Sequence, residues 1–113
     1  MSVPVSLDEL PEQIAGFGPH AYLVTVGDDG RPKVTSVSVI WQQTRLKAGA
    51  GRRTAQNVRG NDQVSLLWPA PVPGEHALLV DGQGAVEDDP DSGLVIFIQP
   101  AKAVLHVTTP ARA

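Results

Sequence analysis

Short apolar, β-branched stretches separated by turn residues recur along the chain and predict a β-rich fold. The clearest signal is Gly27-Asp-Asp-Gly30 between two such stretches, which predicts a β-hairpin closed by an Asp-Gly turn. The predicted strands cover residues 21–26, 34–41, 45–50, 63–68, 76–86, 94–98 and 103–107. The last two are either separate strands or one bent strand broken at Pro100. Six or seven short, mostly antiparallel strands with few helices predict a small β-barrel.

Two short helices are predicted beside the strands. Ser6-Leu-Asp-Glu9 has the pattern of a capping box, which begins a helix with its apolar residues on one face as far as Phe17. The second helix covers residues 52–59 and ends at Gly60. Gly82 and Gly84 indicate a bulge or bend in their strand. We expect one domain over residues 1–113, with a helix and connection at 1–19 and a loose tail at 108–113.

The composition is that of an ordinary globular protein and excludes several functional classes. A formal net charge of −3 without a run of like charges argues against a nucleic-acid binder. The chain has no cysteine, which excludes disulfides, thiolate metal sites and cysteine nucleophiles. His20, His76 and His106 lack metal-ligand spacing, so we expect no metal site. No apolar run approaches the roughly 20 residues that span a bilayer, and no signal-peptide pattern is visible; we expect a cytoplasmic protein.

The candidate chemistry lies where the third strand passes into the second helix. Arg52, Arg53 and Thr54 open this helix, after a run of small residues that includes Ala50. Unpaired backbone N–H groups at a helix start carry partial positive charge, and two guanidinium groups and a hydroxyl beside them suit a phosphate. The alternative is that both arginines are solvated surface charges. In a small β-barrel, a phosphate site indicates a nucleotide-like cofactor such as a flavin.

Two other features bear on a planar ligand. Thr35, Ser36 and Ser38 place hydroxyls on the second strand, where they and edge backbone groups can hydrogen-bond the polar rim of a ring; the alternative is an ordinary polar outer face. Trp41 and Trp68 each close a strand and can flank a flat ring, fill a dimer interface or cap the core. The chain contains no recognisable nucleophile or acid–base motif, so we assign no catalytic residue.

Read together, the segments from about Ala21 to Trp68, and more loosely to Val107, resemble the pyridoxamine 5'-phosphate oxidase-like split-barrel flavoproteins. The resemblance rests on the order and spacing of several pieces rather than on any one of them. These pieces are the strand Ala21-Tyr-Leu-Val-Thr-Val26, Gly30-Arg-Pro32 after the turn, the aromatic Trp41, the basic helix start, Ala55-Gln-Asn-Val58 and Val64-Ser-Leu66.

This resemblance implies a homodimer of split β-barrels that holds FMN in clefts at the subunit interface and acts on a small-molecule substrate. The family pattern assigns the end of the third strand and the helix start to the phosphate, and the second strand to the ring. The candidate cofactor-binding residues are therefore Thr35, Ser36, Val37, Ser38, Ala50, Arg52, Arg53, Thr54 and Trp68. Bound flavin would make the protein an oxidoreductase.

Departures from the family pattern leave alternatives open. Thr54 stands where many members carry a lysine, residues 88–93 leave room only for a turn where a helix is common, and the C-terminal substrate segment of true pyridoxamine phosphate oxidases is absent. We therefore do not expect a role in vitamin metabolism. The alternatives are a deazaflavin-dependent reductase, a non-catalytic module that binds flavin or haem, and an oligomerising β-domain without a ligand.

Overall fold

The computed structural model describes residues 2–107 and 109–111, which form seven β-strands and two α-helices. The strands are β1 (Ser2–Val5), β2 (His20–Val26), β3 (Pro32–Gln42), β4 (Arg45–Gly49), β5 (Gln63–Trp68), β6 (His76–Asp89) and β7 (Gly93–Val107). The helices are α1 (Leu10–Phe17) and α2 (Arg52–Gly60). The predicted mainly β class with two short helices is confirmed.

The strands form one antiparallel sheet in the order β1-β7-β4-β3-β2-β5-β6, and a further pairing between β6 and β7 closes six of them into a barrel. This confirms the predicted barrel. β1 is the additional strand, because it pairs with the second half of β7 outside the closed ring. The sequence did not predict β1, since it is four residues long and contains Pro4, which disfavours strand pairing.

Residues 94–107 lie in one long strand, which decides between the two alternatives that the sequence left open. β7 pairs with β6 along its whole length, with β4 through its first half and with β1 through its second half. The chain runs through Pro100 at a bulge, because Asp81 pairs with Lys102 whereas the next residue, Gly82, pairs with Pro100. A Cβ at Gly82 would lie 2.6 Å from the carbonyl oxygen of Gln99, so this position requires glycine.

The predicted β2–β3 hairpin is confirmed, with a tight turn at Gly27-Asp-Asp-Gly30. The N–H of Gly30 donates to the carbonyl of Gly27 at 2.9 Å, and the N–H of Gly27 donates to the carbonyl of Arg31, also at 2.9 Å. Gly30 has a φ of +80°, a left-handed conformation that glycine adopts without steric cost. The hairpin therefore presents the residues after the turn in a defined register with β2.

The predicted capping box at α1 is wrong. Glu9 occupies the N-cap and makes no side-chain cap bond, while the hydroxyl of Ser6 donates to the Glu9 carboxylate at 2.8 Å. Residues 6–9 instead form a turn, in which the N–H of Glu9 donates to the carbonyl of Ser6. Pro11 explains the later start, because proline is tolerated only in the first turn of a helix. Leu10 and Ile14 are buried as expected.

The hydrophobic core fills the barrel between the strands and the two helices. Its largest fully buried side chain belongs to Trp68, with Leu23, Leu46, Leu66, Leu78, Ile96 and Ile98 among the others. The predicted turn near residues 88–93 is present, with the carboxylate of Asp89 accepting the backbone N–H groups of Asp91 and Ser92. Of the predicted tail, residues 109–111 form neither helix nor strand, and Thr108, Arg112 and Ala113 lie outside the described residues.

Candidate functional site

The α2 helix presents its two arginines to different surroundings. It packs on the barrel through Thr54, Ala55 and Val58, which are buried. Consecutive residues of an α-helix project about 100° apart, so Arg52 and Arg53 leave the helix on different sides. Both are exposed, but only Arg53 lines the cavity between α2 and the β2–β3 hairpin.

This hairpin–helix cavity has a volume of about 710 Å³ and gathers three cationic side chains. Arg31 and Lys33 come from the hairpin, and Arg53 comes from the first turn of α2. None of them forms an ion pair with a carboxylate in residues 2–107 and 109–111, where the ion pairs are Arg45–Glu87 and Lys47–Asp89. The sequence analysis identified Arg53 but missed Arg31 and Lys33, because nothing in the local pattern shows that α2 lies against the hairpin.

Two aspartates, Asp28 and Asp29, also line the cavity and offset part of the charge of the three cations without forming ion pairs with them. The Oδ1 atom of Asp29 accepts the backbone N–H of Arg31 at 3.0 Å, which commits it to the turn. Asp28 is exposed and, within the described chain, makes no ion pair. The cavity therefore keeps a local excess of positive charge in a chain with a net charge of −3.

A partly buried hydrogen bond holds α2 against β2. The Nδ2 atom of Asn57 donates to the hydroxyl of Thr25, which is fully buried on β2. Beside this bond, a Cβ at Gly27 would lie 3.0 Å from Oδ1 of Asp29 and 3.4 Å from Oδ1 of Asn57, so glycine permits the close approach. The sequence offered one overlooked signal for this contact, a threonine at an inward position of an otherwise apolar strand.

The first half of β3 has a strand neighbour on one edge. β2 pairs with β3 from Pro32 to Ser38, whereas β4 pairs with it only from Val39 to Gln42. The N–H of Val39 donates to the carbonyl of Pro19, so in the alternating antiparallel pattern the backbone groups of Ser36 point to the opposite edge. No other described strand pairs with that edge. It therefore offers backbone donors and acceptors next to the cavity that contains Lys33.

The four predicted ring-binding residues of β3 are divided between two faces. Ser36 and Ser38 are exposed on the outer face of the barrel, and Thr35 and Val37 are half-buried on the inner side. The hydroxyl of Thr35 lies 3.5 Å from the carbonyl of Leu23. A ring on the outer face would contact Ser36 and Ser38, and a ring on the inner side would contact Thr35 and Val37. The open edge of β3 is accessible from both faces.

The remaining predicted site residues lie away from the hairpin–helix cavity. Ala50 is half-buried after β4, and its N–H donates to the carbonyl of Leu94 at 3.1 Å. Thr54 is 2% exposed on the packed face of α2, so its hydroxyl does not face the cavity. Trp68 is fully buried and donates its indole N–H to the carbonyl of Gly18, which anchors the end of α1. Trp68 serves the core, and the structure gives it no exposed surface for a cofactor.

Two aspartates outside the cavity have perturbed acidities. The Lys47 ammonium, 2.7 Å from the Asp89 carboxylate, and the backbone N–H of Asp91 hold the pKa of Asp89 below its ordinary value. Hydrogen bonds from the side-chain amides of Gln83 and Gln63 lower the pKa of Asp62. Both carboxylates stabilise turns or strand ends and neither reaches the candidate site.

Two further findings apply to residues 2–107 and 109–111. They contain no group of three or more histidine, cysteine, aspartate or glutamate side chains placed to hold a metal ion. They also contain no helix of the length and apolarity needed to cross a membrane. The expected cytoplasmic location stays a prediction.

Comparison with known proteins identifies relatives of most of the chain. No protein-family model matches it. Uncharacterised proteins from Mycobacterium bovis and Mycobacterium tuberculosis are each 32% identical to it over 100 residues, covering 78% of this chain and 70% of the relative. Identity at this level over most of both chains shows common family membership.

Solved structures with low sequence identity share the fold. A Listeria innocua protein provisionally named a pyridoxamine 5'-phosphate oxidase superposes with a TM-score of 0.70, at 20% identity over 86% of this chain and 98% of its own. An F420 reductase gives 0.66, at 19% identity over 76% and 90%. The haem storage protein HutZ from Vibrio cholerae gives 0.68, at 16% identity over 88% and 94%. The chain thus has the split-barrel fold of pyridoxamine 5'-phosphate oxidase-like structures and belongs to the same family as the two mycobacterial proteins.

Proposed function

We propose that this protein binds FMN and acts as a flavin-dependent oxidoreductase on a small-molecule substrate. One observation carries the proposal: the hairpin–helix cavity brings the start of α2, with Arg53, next to the open edge of β3. Cationic donors suit the phosphate of FMN, and free backbone groups suit the polar rim of its ring. The residues present therefore fit the cofactor.

The start of α2 supplies donors beyond the arginine side chains. The first N–H bonded within the helix belongs to Ala55, which donates to the carbonyl of Gly51, and no side chain caps the helix. The backbone N–H groups of Arg52, Arg53 and Thr54 therefore precede the ladder and can donate to an anion. In this arrangement Thr54 contributes its backbone N–H, because its side chain is buried.

Bound FMN would supply hydride or electron transfer, since this chemistry belongs to the cofactor. The protein would bind the phosphate through Arg53 and the helix start, and it would orient the ring along Thr35, Ser36, Val37 and Ser38. Hydrogen bonds from the open edge of β3 would tune the electronics of the ring. No protein side chain is assigned as an acid or a base.

We propose a homodimer with the cofactor clefts at its interface. The outer face of β2 and β3 exposes Tyr22 by 42%, Val34 by 60% and Ile40 by 54%. Ser36 and Ser38 lie on this face too. A second copy seated on this face would cover its apolar side chains and enclose a ring held against these two residues. Exchanging Val34 and Ile40 for lysine should give a monomer in sedimentation experiments, with FMN affinity reduced at the same time.

A deazaflavin is the second candidate cofactor, and the space beside the cavity would admit its longer side chain. The hairpin–helix cavity adjoins a further recess of about 540 Å³, which shares Gln56 and Asn57 with it and reaches Gly60 and Asn61 at the far end of α2. A cofactor of the F420 type, with a chain that continues beyond its phosphate, would have room along this groove. FMN ends at its phosphate and would leave the groove empty.

Titration of the purified protein with FMN, F420 and haem tests the proposal. Flavin absorbance, thermal shift and quenching of tryptophan fluorescence should report binding of about one FMN per chain. Tighter binding of F420 than of FMN would support the second candidate. Absence of binding and of thermal shift with all three compounds would contradict a cofactor function and favour an oligomerising β-domain without a ligand.

A further inference from the structure

We propose that Arg31 and Lys33 of the β2–β3 hairpin, together with Arg53 of α2, form the oxyanion site of this protein. The phosphate of the cofactor would then lie in the hairpin–helix cavity rather than between Arg52 and Arg53. The identity of this phosphate rests on the proposed function. The site itself rests on the placement, charge and fixed geometry of the three cations.

The hairpin brings its two cations to the same cavity. Arg31 lies between the turn and β3, where its carbonyl accepts the N–H of Gly27, and Lys33 is the second residue of β3; both side chains line the cavity. Arg53 reaches the same cavity from the opposite wall. Three positive side chains from two elements distant in sequence thus surround one space.

The cations of this cluster form no ion pair among the described residues. The other cationic pair with the same spacing, Arg45 and Lys47, has carboxylates at 3.3 Å and 2.7 Å. For Arg31, Lys33 and Arg53, no carboxylate in residues 2–107 and 109–111 comes within ion-pair distance, and Asp28 and Asp29, which line the same cavity, offset only part of their charge. The cavity keeps a net positive charge, which a bound anion would neutralise.

Both walls of the cavity are held in place. On one side, the turn is closed by the backbone bonds of Gly27 and Gly30 and by the bond from the Arg31 N–H to Asp29. On the other side, the partly buried hydrogen bond from Asn57 to Thr25 holds α2 one turn beyond Arg53. Because both walls are held in place before a ligand binds, the conformational entropy that the protein loses on binding is mainly that of the three cationic side chains.

The donor set matches a phosphate better than a single carboxylate. Two guanidinium groups and one ammonium offer up to thirteen N–H donors (about five from each arginine and three from lysine). The three oxygens of a phosphate monoester can accept from several directions at once, whereas a carboxylate presents two oxygens in one plane. Arg52 leaves α2 on another side and does not line this cavity.

Titration calorimetry of two charge-matched double variants tests this site. Arg31→Ala with Lys33→Ala removes two charges from the cavity, and Arg59→Ala with Lys102→Ala removes two charges from exposed positions outside it. We expect the first variant to bind FMN at least about tenfold more weakly, from the loss of charge-assisted bonds, and the second to bind within about twofold of the unaltered protein. If alanine prevents folding, Arg31→Gln with Lys33→Gln replaces it.

Inorganic pyrophosphate, followed by amide chemical shifts in NMR spectra, separates this inference from the cofactor proposal. If the unaltered protein binds pyrophosphate with shifts at residues 27–33 and 53–57, and the cavity variant loses them, the site is supported even when FMN does not bind. Equal FMN affinity of the cavity variant and the unaltered protein would overturn the inference and leave the cofactor proposal intact. Failure to bind either compound would overturn both.

Discussion

Two Arg-x-Lys pairs on the barrel wall have the same spacing and opposite surroundings. Arg45 and Lys47 on β4 meet Glu87 and Asp89 of β6, and the guanidinium of Arg45 also lies 3.9 Å from the centre of the Phe97 ring. Arg31 and Lys33 on the hairpin have no such partners among the described residues. The difference indicates that the first pair stabilises the barrel, whereas the second is available to a ligand.

Strand register produces this difference. β7 lies between β4 and β6, with Lys47 opposite Phe97 and Phe97 opposite Ala85, so the acidic end of β6 comes alongside the β4 cations. Arg31 and Lys33 instead lie where the barrel is open, between the hairpin and the first turn of α2. Carboxylates more than 40 residues away in sequence thus decide what an Arg-x-Lys pair does.

Removing all three cavity cations should produce the largest effect. Each charge-assisted hydrogen bond contributes about 1.5–3 kcal/mol, so the Arg31→Ala, Lys33→Ala, Arg53→Ala variant should bind FMN at least about a hundredfold more weakly. The melting temperature of this variant should not fall, because the mutual repulsion of the three cationic side chains is removed. Arg45→Ala with Lys47→Ala is the matched control in calorimetry and should keep FMN affinity. If this control lost as much FMN affinity as the cavity variant, the distinction between the paired and the unpaired cations would be contradicted.

The next effect concerns the contact that positions α2 and therefore Arg53. Asn57→Ala leaves the fully buried Thr25 hydroxyl without its donor, and the free energy of unfolding should fall by about 1–3 kcal/mol. Urea denaturation measures this change, and Gln56→Ala, at an exposed neighbouring position, is the control. A second replacement, Thr25→Val in the Asn57→Ala background, should restore part of the lost stability. Equal stability of the Asn57 and Gln56 variants would show that the bond does not hold the helix.

A smaller effect is expected at Arg45, the paired counterpart of Arg31. Arg45→Ala removes the cation over Phe97, a ring that is only 6% exposed, and should lower the free energy of unfolding by about 0.5–1 kcal/mol. Arg31→Ala is the comparison at the unpaired position and should leave stability unchanged or slightly raised. Urea denaturation of both variants side by side would contradict the account if Arg31→Ala were the more destabilising change.

The smallest expected effect is the contribution of Asp89 to the pH dependence of the free energy of unfolding. Its folded pKa lies below its unfolded value because Lys47 and the Asp91 N–H favour the charged carboxylate. The resulting stabilisation is therefore complete above about pH 5 and is lost as the pH falls through about 4 and then through the folded pKa. Unfolding free energies measured from pH 2 to 7 should show a shallower acid slope for Asp89→Asn than for the unaltered protein. Identical slopes would show that the pair does not contribute.

Much of the fold was predictable because local patterns determine it. The Asp-Gly turn specified the β2–β3 hairpin, and the bounds predicted for β5 agree with the structure. β1 was not predicted, and the sequence left open whether residues 94–107 form one strand or two, since both depend on pairing between strands distant in sequence. The capping-box prediction failed because the local pattern at Ser6 competes with Pro11, which fixes a later helix start.

The candidate site was predictable only in part. Arg53 followed from the helix start, but its partners Arg31 and Lys33 depend on the packing of α2 against the hairpin. Trp68 was a candidate as an aromatic residue at a strand end, and its full burial became evident only from the barrel core. Whether a cation is paired cannot be read from its neighbours in sequence, as the two Arg-x-Lys segments show.

The most direct test of the central claim compares FMN with riboflavin, which carries the same ring and lacks the phosphate. Calorimetric titrations at low and high salt should show that FMN binds at least about tenfold more tightly, and that salt weakens FMN binding while leaving riboflavin binding nearly unchanged. This result would tie affinity to an electrostatic contact with the phosphate, as the three cavity cations predict. Equal affinity for the two compounds, with no effect of salt, would contradict the account.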